Sequence, residues 1–191
     1  MKSVLISIKP KYCELIAAGK KTIEVRKTKP RIETPFKCYI YQPKTVYVSK
    51  NKSNEFLKPI QDKRFGKIIG EFVCDEILCF PYVEGEEAGE YVYNIPTVIG
   101  EQTCLDYGDV SNYGNGKSLY FWHISNLAIY DEPKELSEFG RECNLDCPSV
   151  RCPYWKYQRV NADEWDYDCS CNNIKPLKRP PQSWCYVVEG R

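Results

Sequence analysis

Histidine is nearly absent from this 191-residue chain: His123 is the only one. A nuclease mechanism with two histidines as acid and base lacks its second residue, and no paired-histidine metal motif can be built. The chain also has no phosphate-binding glycine loop with its lysine and no serine elbow. No apolar run approaches membrane-spanning length, and the N-terminus has no apolar signal-peptide core, so a cytoplasmic protein is expected. Internal repeats and low-complexity tracts are missing too. His123 sits beside Trp122 in an aromatic strand pattern, where the ordinary role is packing or hydrogen bonding and the alternative is a general base.

Much else is present. With 42% hydrophobic residues over 191 positions, the chain is long enough for one domain with a sizeable core and some insertions. Its 11 cysteines are odd in number and scattered through strand-like and loop-like stretches, which argues against a secreted disulfide framework and for buried thiols and a metal site. The net charge of +1 conceals a polar division: residues 1–70 hold 17 Lys and Arg against 5 Asp and Glu, whereas residues 71–191 hold 10 against 21. Lys20, Lys21, Arg26, Lys27, Lys29 and Arg31 make one basic run; Lys44, Lys50, Lys52, Lys58, Lys63 and Arg64 continue it. An anionic partner such as RNA or a nucleotide fits such a surface, provided these lysines converge rather than spread over a solvated exterior.

The coarse pattern is mostly β. Strands are expected over Phe36 to Tyr41, Lys67 to Ile77, Ser118 to Tyr130 and Trp184 to Glu189. Without βαβ alternation, five or six such strands suggest an α+β protein, a small barrel with flanking helices. Residues 9 to 18 have helical spacing, with Tyr12, Leu15, Ile16 and Cys13 facing inward and Gly19 suited to a left-handed stop. A short helical turn is expected within Pro133 to Phe139.

The segment Gly19-Lys20-Lys21-Thr22-Ile23-Glu24-Val25-Arg26 then changes period from helix to strand. Ile23 and Val25 point to one face, and Thr22, Glu24 and Arg26 to the other, which sets a carboxylate beside a guanidinium. Such a pair on a solvated edge would contribute little. Ser7 and Lys9, where the first strand meets the helix, and Gln182 and Ser183, before the last strand, complete a candidate set. Together these residues offer cations, a carboxylate, an amide and hydroxyls, able to read a base edge and hold phosphate. Tyr41 and Trp184 are the aromatics placed to line the same cleft, although packing is the commoner fate of both.

Gly19, Lys21, Glu24 and Arg26 match the spacing Gly-x-Lys-x-x-Glu-x-Arg. With Val4 to Pro10 and the closing Arg179 to Val187, the chain resembles the ASCH domain family, a branch of the PUA-like β-barrels. The resemblance implies a PUA-like barrel domain over 1–139 and 176–191. It also implies RNA, or a modified nucleoside or nucleotide, as ligand, with Ser7, Lys9, Lys21, Glu24, Arg26, Tyr41, Gln182 and Ser183 as binding residues. One branch of the family removes the acetyl group from N4-acetylcytidine, which carries Lys21 over as a catalytic lysine with Glu24 beside it. Glu24, however, stands where that branch has its nucleophilic threonine, and Thr22 is displaced by two residues. Another member is similar to a ribonuclease. Hydrolysis of the same ligand class, by an amidohydrolase or a ribonuclease, is therefore the alternative to binding.

Two stretches read as insertions. Residues 83–116 contain seven acidic residues, no Lys or Arg, and Tyr91, Tyr93, Tyr107 and Tyr113, the composition of a helical lid whose carboxylates are mostly solvated and could offer a general base. Residues 140–175 contain Cys143, Cys147, Cys152, Cys169 and Cys171. Thiolates so clustered order a short loop by binding Zn²⁺, with four of the five as ligands, although the spacing matches no standard zinc ribbon or finger. Free thiols, an opportunistic disulfide or an iron–sulfur cluster are the other uses. This knuckle is also the contact surface expected if the protein is a protein-interaction module.

Overall fold

The computed structural model describes residues 2–44, 62–85, 91–142 and 174–189, and the backbone alone over 155–161 and 164–169. β1 (Ser3–Ser7) leads into helix α1 (Pro10–Ala17) and then β2 (Ile23–Arg26), β3 (Phe36–Gln42), β4 (Lys67–Cys74) and β5 (Ile77–Phe80). A small ladder pairs β6 (Val83–Glu84) with β7 (Tyr91–Val92), followed by α2 (Thr97–Gln102) and α3 (Tyr107–Gly114). Next come β8 (Leu119–His123), β9 (Ser125–Lys134), a 3₁₀ turn (Leu136–Glu138) and β10 (Phe139–Glu142). β11 (Trp155–Asn161), β12 (Glu164–Cys169), β13 (Ile174–Pro176) and β14 (Trp184–Glu189) complete the order.

α1 begins with Pro10 and buries Pro10, Cys13 and Ile16. Its end satisfies two orphan carbonyls: Gly19 N–H donates to Ile16 at 2.9 Å and Lys20 N–H to Leu15 at 2.9 Å, a Schellman pattern. Gly19 has φ +68°, and nothing lies within 4 Å of where a Cβ would sit, so backbone conformation and not space calls for glycine there.

The expected closed barrel is corrected to two open sheets. Seven strands run in the order β13-β10-β14-β1-β3-β4-β9, three in the order β2-β8-β5, and no ladder among the described residues joins their outer strands. The long patterns from Lys67 and Ser118 are each two strands and not one, because each crosses between the large sheet and the small one. β4 ends at Cys74 and β5 resumes at Ile77; β8 ends at His123 and β9 resumes at Ser125. The two crossings are fastened to each other, His123 N–H donating to Glu76 O at 3.0 Å and His123 Nδ1 lying 2.7 Å from Asp75 Oδ1. The imidazole hydrogen bond holds the Asp75 carboxyl below its usual range. His123 is thus a corner staple and lies outside the cleft described below. The helical turn expected within 133–139 is the single 3₁₀ turn, since β9 runs on to Lys134.

One core lies between the sheets: Val4, Ile6, Ile8, Cys38, Ile40, Ile69, Phe72 and Trp122, roofed by Cys13 and Ile16 of α1. Leu5, Tyr39, Tyr41, Ile68, Phe139 and Val187 form a second cluster. A third joins Ile23 and Val25 to Tyr93, Val110, Leu119 and Phe121, anchoring the helical excursion. Fully burying one such side chain contributes ~1.5–3 kcal/mol. The described cysteines are free, and burial pushes the Cys13, Cys38 and Cys74 thiols up, as suits packing residues. No described helix is long and apolar enough to cross a membrane.

Candidate binding cleft

β2 carries one face into the core and the other into a cleft. Its apolar residues Ile23 and Val25 are buried against β8 and α3, so strand alternation turns Glu24 and Arg26 the other way. Neither charge is solvated: Glu24 is 6% exposed, Arg26 7% and Lys21 2%. Glu24 bridges the two cations, with Lys21 Nζ 3.3 Å from Oε2 and Arg26 Nη2 2.9 Å from Oε1.

Lys21 also donates to the carbonyls of Ile23 and Thr103, each at 2.7 Å. With Glu24, these three acceptors match the three N–H groups of an ammonium. The lysine therefore ties the turn between α2 and α3 to the signature strand. Two more bonds make the same seam, Thr22 N–H to Gln102 O at 3.1 Å and Cys104 Sγ to Lys20 O at 3.3 Å.

Arg26 reaches the other side. Its Nη2 donates to Ser7 O at 2.6 Å and its Nη1 approaches Ser183 Oγ at 3.4 Å. Ser7 in turn is joined to the approach of β14, its N–H donating to Ser183 O at 2.8 Å and its hydroxyl to Pro181 O at 2.6 Å. Arg26 Nε is buried and has no hydrogen-bond partner. A buried donor left unmatched is uncommon and calls for an explanation.

Around this triad lies a cleft of about 620 Å³, lined by Ser7, Lys9, Lys21, Glu24, Arg26, Gln182 and Ser183 together with Tyr12, Val25, Pro43, Leu105, Asp109, Asn112 and Tyr113. Seven of the eight sequence candidates thus meet in one place. Tyr41 does not. Strand alternation on β3 puts it with Tyr39 in the second cluster, 5% exposed, on the opposite face from Ile40. Trp184 also stays out: its ring packs against Trp122 at 6.0 Å and its Nε1 donates to Thr28 Oγ1 at 2.9 Å.

The second wall was not legible as such. Of the described carboxylates in the acidic stretch, Asp109 alone reaches the cleft, and it does so with Asn112 and Tyr113 from α3. The spacing i, i+3, i+4 was the available signal. Burial raises the Tyr113 hydroxyl above its usual range, with Arg26 opposing.

The basic run divides. Lys63 and Arg64 are ion-paired with Glu132 and Asp62, whereas Lys27 lies 5.1 Å over the Tyr113 ring and Lys29 5.8 Å over Tyr120. Lys50, Lys52 and Lys58 lie outside the described residues, as do Cys143, Cys147, Cys152 and Cys171; Cys169 is described by backbone alone. No group of metal-binding side chains occurs among the described residues.

Residues 6–91, which hold most of β1, α1, the signature strand and the strands through β6, match the family model of the ASCH domain. The chain is also similar to the crystal structure of ASCH from Zymomonas mobilis, at 16% identity and a TM-score of 0.48, over 97% of this chain and 87% of that one. One variant of that protein aligns at 15% identity and a TM-score of 0.46 over 97% and 88% of the two chains. A second aligns at 17% and 0.46 over 71% and 77%. Among curated proteins no match to this chain is found.

The ion triad makes a stability prediction. Replacing Lys21 by Met removes one of the two cations on buried Glu24 and leaves the Ile23 and Thr103 carbonyls without their ammonium donor, which should cost ~3–5 kcal/mol. Urea unfolding of Lys21→Met should show that loss, and Lys9→Met, at an exposed position of the same cleft, should change stability by less than about 0.5 kcal/mol.

Proposed function

We propose that the cleft binds RNA or a modified nucleoside or nucleotide. The observation that carries this reading is a cleft of about 620 Å³ whose lining brings Lys9, Lys21 and Arg26 together with Gln182 and Ser183. Phosphate and carbonyl oxygens are the acceptors that cations and an amide so placed take. Lys9 and Gln182 stand exposed at the rim, one a cation and the other an amide able to donate and accept. Lys27 and Lys29 extend positive charge beyond the rim.

Binding is favoured over hydrolysis by the state of the two residues a hydrolase would use. The N–H groups of Lys21 already have acceptors within the protein, and Glu24 is held between two cations. Neither is arranged to take a proton from a substrate or to attack it.

Isothermal titration of the full chain with nucleoside monophosphates and a short single-stranded RNA tests the reading. Lys9→Ala and Gln182→Ala should each weaken binding by about tenfold, the size of one charge-assisted hydrogen bond. Mass spectrometry of the same mixtures should find no product. Cleaved or deacylated product that disappears in Lys21→Ala would establish hydrolysis instead.

We further propose that the cysteine-rich segment binds Zn²⁺. β10 and β13 pair at Glu142 with Ile174, next to Cys143 and three residues after Cys171, and β11 and β12 pair at Trp155 with Cys169, three residues after Cys152. Residues 169 to 174 span at most about 18 Å, so the ends of the two ladders cannot lie farther apart. Cys143, Cys147, Cys152 and Cys171 fall in sequence on the two stretches between those ends and Cys169 on the last rung of one ladder, and four thiolates suffice for a structural site. Protein purified without chelator should carry about one Zn²⁺ per chain by elemental analysis, and Cys143→Ser with Cys152→Ser should abolish it. Metal-free protein whose melting temperature is unchanged by added Zn²⁺ would refute the site.

A further inference from the structure

The two walls of the cleft are chemically unlike. On one, Lys9, Lys21 and Arg26 supply cations; on the other, α3 presents Asp109, Asn112 and Tyr113. The rotation of α3 that exposes these three is set by packing. Val110 is 3% exposed within the third cluster. Gly114 lies so close to Tyr93 that a Cβ there would be 1.9 Å from its Oη, which itself donates to Lys117 O at 2.6 Å. The start of the helix is fixed as well, by Asp109 N–H donating to the Asp106 side chain at 2.6 Å. At the other end of the wall, Thr103 makes two hydrogen bonds of its own and gives its carbonyl to Lys21. α3 therefore faces the cleft as a rigid surface tied to the signature strand.

Neither the Asp109 carboxylate nor the Asn112 amide has a side-chain hydrogen bond or an ion pair among the described residues, and both are exposed to the cleft. A carboxylate can only accept, and an amide can donate and accept side by side. A wholly anionic ligand would meet repulsion at Asp109. A ligand that is anionic at one end and bears an amino group beside a ring acceptor at the other satisfies both walls at once.

We propose that Asp109 and Asn112 are specificity-determining residues that select a nucleotide whose base carries an exocyclic amine. The proposal rests on the reading of the cleft as a nucleotide site. The amine lies against Asp109, the ring acceptor beside it against the Asn112 amide, and the phosphate against Lys9 and Arg26. Two such contacts to one base edge discriminate by at least about tenfold.

The test compares matched pairs that differ in the amine, CMP with UMP and AMP with IMP, by titration of the full chain. Wild type should prefer the amine-bearing member of each pair by about tenfold or more. Asp109→Asn and Asn112→Ala, both on the exposed side of α3, should each reduce that ratio to less than about threefold. Glu101→Gln, an exposed acid on α2 outside the cleft, should leave it as it is. Equal affinity within the pairs for wild type, or an unchanged ratio in both α3 variants, would overturn the proposal while leaving nucleotide binding in place. Failure of all four nucleotides to bind would remove the nucleotide site on which the proposal rests.

Discussion

A single carboxylate holds the architecture of the cleft together. Glu24 lies between Lys21 and Arg26, and all three are more than nine-tenths buried. Burying isolated charges is costly, so the two cations persist only because Glu24 lies between them and because carbonyl acceptors complete their hydrogen bonds. Those carbonyls come from three separate places: Ser7 at the end of β1, Ile23 within the signature strand, and Thr103 between α2 and α3. The triad is therefore the point at which the first strand, the signature strand and the helical excursion are brought to a common geometry.

The two-sheet arrangement gives the triad its surroundings. Because β4 to β5 and β8 to β9 each turn from one sheet into the other, β2 lies on the small sheet while β1 and β14 lie on the large one. The mouth between the sheets is left unfilled where the side chains are polar, and Arg26 reaches across it toward Ser7 and Ser183. On the outer face of the large sheet charge is neutralised in pairs, Lys37 with Glu71 and Lys134 with Glu189. Lys27 and Lys29, which follow the signature strand, lie over the rings of Tyr113 and Tyr120 with no carboxylate paired to them among the described residues. That unpaired charge is what the proposed anionic ligand would meet.

Local rules made part of this legible beforehand. The change from helical to strand period at Thr22 placed Glu24 and Arg26 on one face, and the positive φ expected of Gly19 is present. The match of residues 6–91 to the ASCH domain agrees with the resemblance carried by Gly19, Lys21, Glu24 and Arg26. What local pattern could not convey was where a strand changes sheets. His123, Ile124 and Ser125 continue an unbroken β pattern, yet the ladder stops there because the chain turns a corner. An alternating pattern reports two faces but not which sheet supplies the neighbours. Tyr41 was misplaced for a related reason, since its alternation with Ile40 assigns it to the second cluster. The role of Thr103 was illegible because it acts through a carbonyl, which every residue has.

The central claim is that the cleft around the Glu24-centred triad is the binding site, with Arg26 in its wall beside the ligand. Two-dimensional ¹H–¹⁵N spectroscopy of the arginine Nε–H groups measures it directly, with Arg26→Lys to assign the signal. Addition of a nucleoside monophosphate should shift the Arg26 Nε–H resonance and slow its exchange with water while the other arginine signals stay in place. An Arg26 signal that is unmoved at a nucleotide concentration where other resonances saturate would contradict the account and place the ligand elsewhere on the protein.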